Sequence, residues 1–202
     1  MAINDVLDSF ARMEEYSQYL MDVEYQFYHE DNDIKAFQLA QEAKQRGHRN
    51  PIFDYIIGFC YNNGRGVAKD KRRAGEFFKY SAEARDANGS YYDDKHSNES
   101  RVILAEDFVF SNPEFNVIDA DTALTYCKLL LQVEKYHDDA ILYLAKLYGR
   151  AQYGCQDTAK AQSYLTELLR HPNPSVRAKA SAFQQEMQAQ NKKRSFFRSL
   201  FG

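Results

Sequence analysis

The sequence predicts an all-α fold assembled from repeated antiparallel helix pairs. Three observations lead there. No stretch shows the alternating apolar–polar period of a half-buried strand. The segment Ile57-Gly58-Phe59-Cys60-Tyr61-Asn62-Asn63-Gly64-Arg65-Gly66-Val67-Ala68-Lys69-Asp70-Lys71-Arg72-Arg73-Ala74 reads as a helix end, a glycine turn and a second helix start. Its outline returns 87 positions later as Leu144-Ala145, Tyr148, Gly154, Asp157 and Lys160-Ala161. The small residues that open the second helix of each pair, Ala36, Ala74, Ala123 and Ala161, are 38, 49 and 38 residues apart. A supersecondary unit repeated at such spacing cannot bury its apolar face alone and must stack on neighbours.

The elements follow in order. Residues 4–29 form a long amphipathic pattern, with Leu7, Phe10, Met13, Leu20, Val23 and Phe27 at three- and four-residue spacing, roughly one helical face. Asp31-Asn32-Asp33 breaks it and offers a cap to a second helix from Ile34 to about Arg46, which Gly47 stops. Pro51 suits the first turn of a third helix, because its missing N–H is an orphan there anyway. That helix reaches about Asn63, and Gly64 and Gly66 supply residues free to take positive φ. Asp70 caps a fourth helix over about 71–84. The polar run 88–98, Asn-Gly-Ser-Tyr-Tyr-Asp-Asp-Lys-His-Ser-Asn, reads as an inserted loop and accounts for the longer middle interval. Further helices are expected over about 99–110, 119–133, 138–149, 158–170 and 175–190, with Asn112-Pro113 and Pro172 and Pro174 as punctuation. Residues 1–190 form one repeat domain in this reading, and 191–202 a basic, aromatic tail.

Composition bounds the function. The chain has 202 residues, 44% hydrophobic and 27% charged, as an ordinary globular protein does, and its net charge of −3 gives no basic footprint for nucleic acid. The charge is uneven, however. Residues 1–33 hold nine acidic side chains against Arg12 alone, and residues 170–202 hold seven Lys or Arg against Glu186 alone. Two readings stay open: a charged contact or working tail, or two solvated faces of different sign. Acidic residues interrupt the first 15 positions, unlike a signal peptide, and no run approaches the ~20 apolar residues of a membrane span. Three cysteines without close spacing point to reduced thiols in a cytosolic compartment.

At the glycine-turn segment the sequence resembles the Sel-one-like repeat, a relative of the tetratricopeptide repeat. The family pattern is Leu-Gly-x-x-Tyr, Gly-x-Gly-Val, Asp, then Lys-Ala leading an Ala-rich helix. The second unit matches at Gly58, Tyr61, Gly64, Gly66, Val67, Asp70, Ala74 and Ala82. The fourth keeps Leu144, Tyr148, Asp157, Lys160 and Ala161, with Ala145 in place of a glycine and Gly154 displaced. In the third, Leu104-Ala105 and Phe108 stand for Leu-Gly-x-x-Tyr, and Ser111-Asn112-Pro113 replaces the glycine turn. The first retains Lys35-Ala36 and Ala40. The resemblance implies a right-handed α-solenoid of about four antiparallel helix pairs plus a C-terminal capping helix, serving protein–protein interaction. Gly58 and Ala145 are then small because paired helices approach closely there.

Candidate chemistry is sparse. Gly64-Arg65-Gly66 lacks the preceding strand and the Lys-Ser or Lys-Thr of a phosphate loop. His29, His48, His96, His137 and His171 do not pair with His or Cys at metal-ligand spacing; His96 and His137 read as residues of exposed polar loops. No nucleophile–base order supports catalysis. No cofactor, no metal and no enzymatic activity are expected. The aromatic content, 15 Tyr and 14 Phe, is more suggestive. In the third helix Phe53, Ile57, Gly58 and Tyr61 take the packing positions, which leaves Ile52, Tyr55 and Phe59 as a second apolar stripe. Because the resemblance puts the first helix of each pair on the concave surface, Tyr55 and Phe59 are expected to face a partner, with Ile52 beside them and Arg65, Tyr91 and Tyr92 near the rim. The alternative is that the long first helix covers them.

The tail offers Lys192, Lys193, Arg194, Phe196, Phe197, Arg198 and Phe201 for an anionic membrane surface or a partner groove; a folded-back helix end or a disordered tail is the other reading. The expected function is that of a non-enzymatic, bacterial cytosolic adaptor, regulator or immunity-type protein binding a protein or peptide. The alternative is a peripheral membrane-associated assembly factor.

Overall fold

The structure is a computed structural model that describes residues 3–110 and 115–201, without the side chains of 3, 4, 194 and 197–201. The described residues are all-α: α1 Ile3–Tyr28, α2 Asp33–Gln45, α3 Pro51–Asn63, α4 Lys71–Glu83, α5 Lys95–Val109, α6 Ala120–Leu130, α7 His137–Gly149, α8 Thr158–Leu169 and α9 Pro174–Phe201. Short 3-10 turns precede and follow α7, and the one extended pairing among the described residues is an isolated bridge between Arg85 and Tyr91. No helix among them is long and apolar enough to cross a membrane.

The contacts group the chain into two compact units, 1–104 with 113–117, and 105–112 with 118–202. In the first, α1 packs on α2, α2 on α3, and α3 most extensively on α4. Its core holds Phe37, Ile52, Phe53, Ile56, Ile57 and Phe78. In the second, α7 packs most extensively on α8, with α6 and α9 against the same pair. Ala145, Leu165 and Phe183 lie in one of its core clusters and Leu124, Cys127 and Leu144 in another.

The repeat register has a local physical cause. Asn32, Asp70, Asp119 and Asp157 each cap a helix, accepting at 3.1, 3.0, 2.8 and 3.0 Å from the N–H three residues on. The backbone oxygens of the same four residues accept from Ala36, Ala74, Ala123 and Ala161, all fully buried. The four alanines that set the sequence spacing are therefore the fourth residue of four identically started helices.

The 87-residue echo extends to side chains. Tyr61 stacks on Phe77 at 5.7 Å, and Tyr148 stacks on Tyr164 at 6.2 Å. Arg73 lies over Tyr61, and Lys160 over Tyr148. Asp70 N–H donates to the Tyr61 carbonyl, and Asp157 N–H to that of Tyr148. Gly64 ends α3 at φ +72°, while the displaced Gly154 holds φ +73° after its 3-10 turn. The glycine at position 58 answers to Ala145 because its opposing residue differs: Phe78 on α4 corresponds to Leu165 on α8, and a larger helix methyl is matched by a smaller partner.

Two expectations need correction. Residues 95–98 belong to α5 and not to the inserted loop. Asp94 starts that helix, its carboxylate accepting from Ser97 N–H at 2.8 Å and its carbonyl from Asn98 N–H at 3.0 Å. His96, read as exposed, is 8% exposed, and Ser97, Asn98 and Ser100 are buried with it. Second, the terminal segment read as a separate tail continues α9 to Phe201; from Ser175 to Phe201 the chain holds no Gly or Pro to stop the helix. The glycine-turn replacement at Ser111-Asn112-Pro113 lies outside the described residues.

Candidate functional site

In the first unit a cavity of about 630 Å³ opens where the α2–α3 turn meets the end of α4. Gly47, at φ +88°, ends α2, and the His48 N–H returns to the Ala43 carbonyl. That turn carries His48, Arg49 and Asn50 to the mouth. Asn50 then caps α3: its side chain accepts from Ile52 N–H at 3.0 Å, its carbonyl accepts from Phe53, and Pro51 has no N–H to offer. The first-turn donors are thus largely consumed by the helix's own cap. Charge at the mouth comes from side chains.

Deeper in the cavity, Lys44 pairs with Asp54 and lies 5.4 Å from the Phe77 ring and 5.5 Å from the Tyr80 ring. Burial raises the Asp54 carboxyl above its ordinary range, and Lys44 opposes that shift. This cation is therefore committed internally. The two arginines at the mouth are more exposed. Arg49 is exposed, and Arg85 is held by stacking 3.9 Å over Tyr91 and by donating to the Gly89 carbonyl at 2.8 Å. Among the described residues neither forms a salt bridge, although Arg49 acts to lower the Asp54 carboxyl and Glu83, 3.9 Å from Lys79, lines the same cavity. Tyr80 and Tyr92 supply aromatic wall beside them, and the lining has no Ser, Thr or Cys. Either guanidinium offers the planar donors that bind a carboxylate-bearing group. Elsewhere, burial pushes the Cys60 and Cys127 thiols up to about 12, so neither is a thiolate at neutral pH.

Arg101 fixes the cavity's far wall, and sequence reasoning missed it. It is 1% exposed. Its Nε donates to the Ala82 carbonyl at 3.1 Å, Nη1 to Asn98 Oδ1 at 2.7 Å and Nη2 to the Tyr92 carbonyl at 2.8 Å. The guanidinium clips α4, α5 and the connecting loop, and so places Tyr92. The available signal was Asp94 three positions before Ser97, a helix start that puts Arg101 two turns inside.

The structure scatters the other expected site residues. Ile52 is 1% exposed and offers a partner no surface. Tyr55 and Phe59 are half-buried, with the Phe27 ring edge-on at 6.4 and 5.1 Å. Tyr55 also meets Phe78 at 6.0 Å and His96 at 5.4 Å. The end of α1 therefore packs on this stripe, as the second of the two sequence readings has it. Arg65 is exposed and sits 3.6 Å from the Asp33 carboxylate, away from the cavity lining. Tyr91 lies beneath Arg85, and Tyr92 is on the cavity wall. Lys192, Lys193 and Phe196 are exposed on α9; the side chains of Arg194, Phe197, Arg198 and Phe201 lie outside those described.

The second unit holds one further unusual cation. Lys146 is 7% exposed and lies 4.7 Å from the Phe110 ring and 4.6 Å from the Phe183 ring. Burial lowers its pKa. Beside it Arg150 reaches both Glu186 oxygens at 3.0 Å, tying α9 to the end of α7. No family model matches the chain, and neither a curated protein nor a solved structure does.

Proposed function

We propose that this chain is a non-enzymatic interaction protein that docks a carboxylate-bearing protein or peptide segment in the first unit's cavity. The observation that carries this reading is the pair of exposed arginines, Arg49 and Arg85, which make no salt bridge among the described residues and line that cavity with Tyr80 and Tyr92. A cavity of this volume suits a few side chains or a chain terminus. The lining offers recognition by charge and aromatic contact.

The helix pairs are those of a Sel-one-like array in a right-handed α-solenoid; what supports this is the recurrence at 87 residues of cap, tyrosine stack and cation over the ring. A bacterial cytosolic adaptor, regulator or immunity-type protein is the role that reading suggests. A second reading, a membrane-recruited assembly factor, draws on the exposed Lys192, Lys193 and Phe196. Affinity capture with mass spectrometry separates them. The first expects a protein retained by the wild type and by a chain lacking residues 192–202, and lost from Arg49→Glu/Arg85→Glu. Recovery of lipid-dependent contacts alone, lost with residues 192–202, overturns it in favour of the second.

A further inference from the structure

Helix α1 carries two apolar stripes. Tyr16, Leu20, Val23 and Phe27 turn inward and are buried or half-buried. Val6, Leu7, Phe10, Met13, Met21 and Tyr25 are 38–67% exposed. At 3.6 residues per turn the two sets are centred roughly 120° apart, so the second is a separate face and no extension of the first. Reading the sequence as one stripe merged them. An exposed apolar stripe running along most of a helix is a candidate contact surface.

Charge decides what fits it. Helix α1 holds six acidic side chains against Arg12, and Glu14 and Glu24 fall within the exposed stripe. Two copies of α1 laid face to face would bring these carboxylates together. The end of α9 is the opposite: residues 188–201 contain four Lys or Arg and no acidic residue, with Lys192, Lys193 and the 61%-exposed Phe196 outward. We propose that the α9 end of a second copy of this chain docks on the exposed stripe of α1, Phe196 against the apolar side chains and Lys192 and Lys193 toward Glu14 and Glu24. Each copy carries one α1 stripe and one α9 end, so two copies can pair reciprocally as a closed dimer or the contact can continue through further copies.

Sedimentation velocity of the full chain across the micromolar range tests this. The expected result is size growing with concentration at low salt and falling at high salt. Phe10→Glu, or Lys192→Glu/Lys193→Glu, weakens association about tenfold or more while helical circular dichroism is retained. Glu14→Lys/Glu24→Lys does the same alone, and mixing it with Lys192→Glu/Lys193→Glu restores assembly. A monomer at every concentration overturns the proposal. So does stronger association in Glu14→Gln/Glu24→Gln, which marks an α1–α1 pair. Binding of the monomer to anionic phosphatidylserine vesicles, with no self-association, overturns it in favour of a membrane surface.

Discussion

Replacing Gly58 with alanine pits two opposed effects against each other at one buried position. In a helix interior alanine is favoured over glycine by about 1 kcal/mol. Against that, a Cβ at position 58 would lie 2.9 and 3.0 Å from two atoms of the Phe78 ring and 3.2 Å from the Ala74 carbonyl oxygen. Carbon atoms rest at roughly 3.5–4.0 Å, so the ring must yield by at least half an ångström. It has little room: Phe78 is 1% exposed, with Phe115 edge-on at 5.6 Å and Tyr55 at 6.0 Å. Overpacking of this kind costs about 1–3 kcal/mol. The repulsive effect exceeds the propensity gain, and Gly58→Ala is expected to destabilise by about 1 kcal/mol, a fall of roughly 2–4 °C in Tm for a chain of this size. The second unit shows the remedy, since Ala145 is accommodated with Leu165 where the first unit has Phe78. Gly58→Ala/Phe78→Leu should therefore be more stable than Phe78→Leu alone, with a coupling above 1 and up to ~2 kcal/mol in a double-mutant cycle. Thermal and urea unfolding measure both. A Gly58→Ala chain as stable as wild type, or additive singles, would refute the close-approach argument.

Other outcomes follow from the same structure. Phe59→Ala should cost about 2 kcal/mol by urea unfolding, because the Phe27 ring packs edge-on against it, and it should leave partner capture unchanged. Arg101→Met removes the donor to two carbonyls and to Asn98, and about 3–5 kcal/mol is expected to go with it. Slower tryptic cleavage near residues 85–92 in that variant would contradict it. His96, buried and hydrogen-bonded to the Tyr28 hydroxyl at 3.0 Å, has its pKa lowered from 6.5 by burial. The unfolded chain then binds the extra proton first, so stability present above pH 6.5 declines as pH falls below it, with a slope of at most ~1.4 kcal/mol per pH unit. Asp94 and Glu99 offset part of that loss, while Lys95 adds to it. In His96→Gln this portion of the pH dependence should vanish. Asp70→Ala and Asp157→Ala remove equivalent caps and should each cost ~1 kcal/mol.

Helix boundaries were readable where local chemistry acts alone. Asn32, Asp70, Asp119 and Asp157 cap helices within a residue or two of the expected starts, because a cap needs only the three residues after it. The run 95–98 defeated composition. Its His, Ser and Asn look like loop residues, yet they pack inside, where Arg101, three positions further along the same helix, holds Asn98. The site was less readable still. Tyr92 was named, but Arg49 and Arg85 were not, since their meaning comes from α2–α3 and α4 turns converging in space. Tyr55 and Phe59 stand out in the sequence as a second apolar stripe, but what packs on them is Phe27, more than 25 residues away in the chain. Periodicity shows that a face is apolar; it does not show which neighbour meets it.

Hydrogen–deuterium exchange of the protein with its captured partner tests the docking claim most directly. The account predicts slowed exchange at residues 46–54 and 80–92, absent in Arg49→Glu/Arg85→Glu. Protection confined to residues 192–201, or a partner that protects the chain equally in that variant, would contradict it.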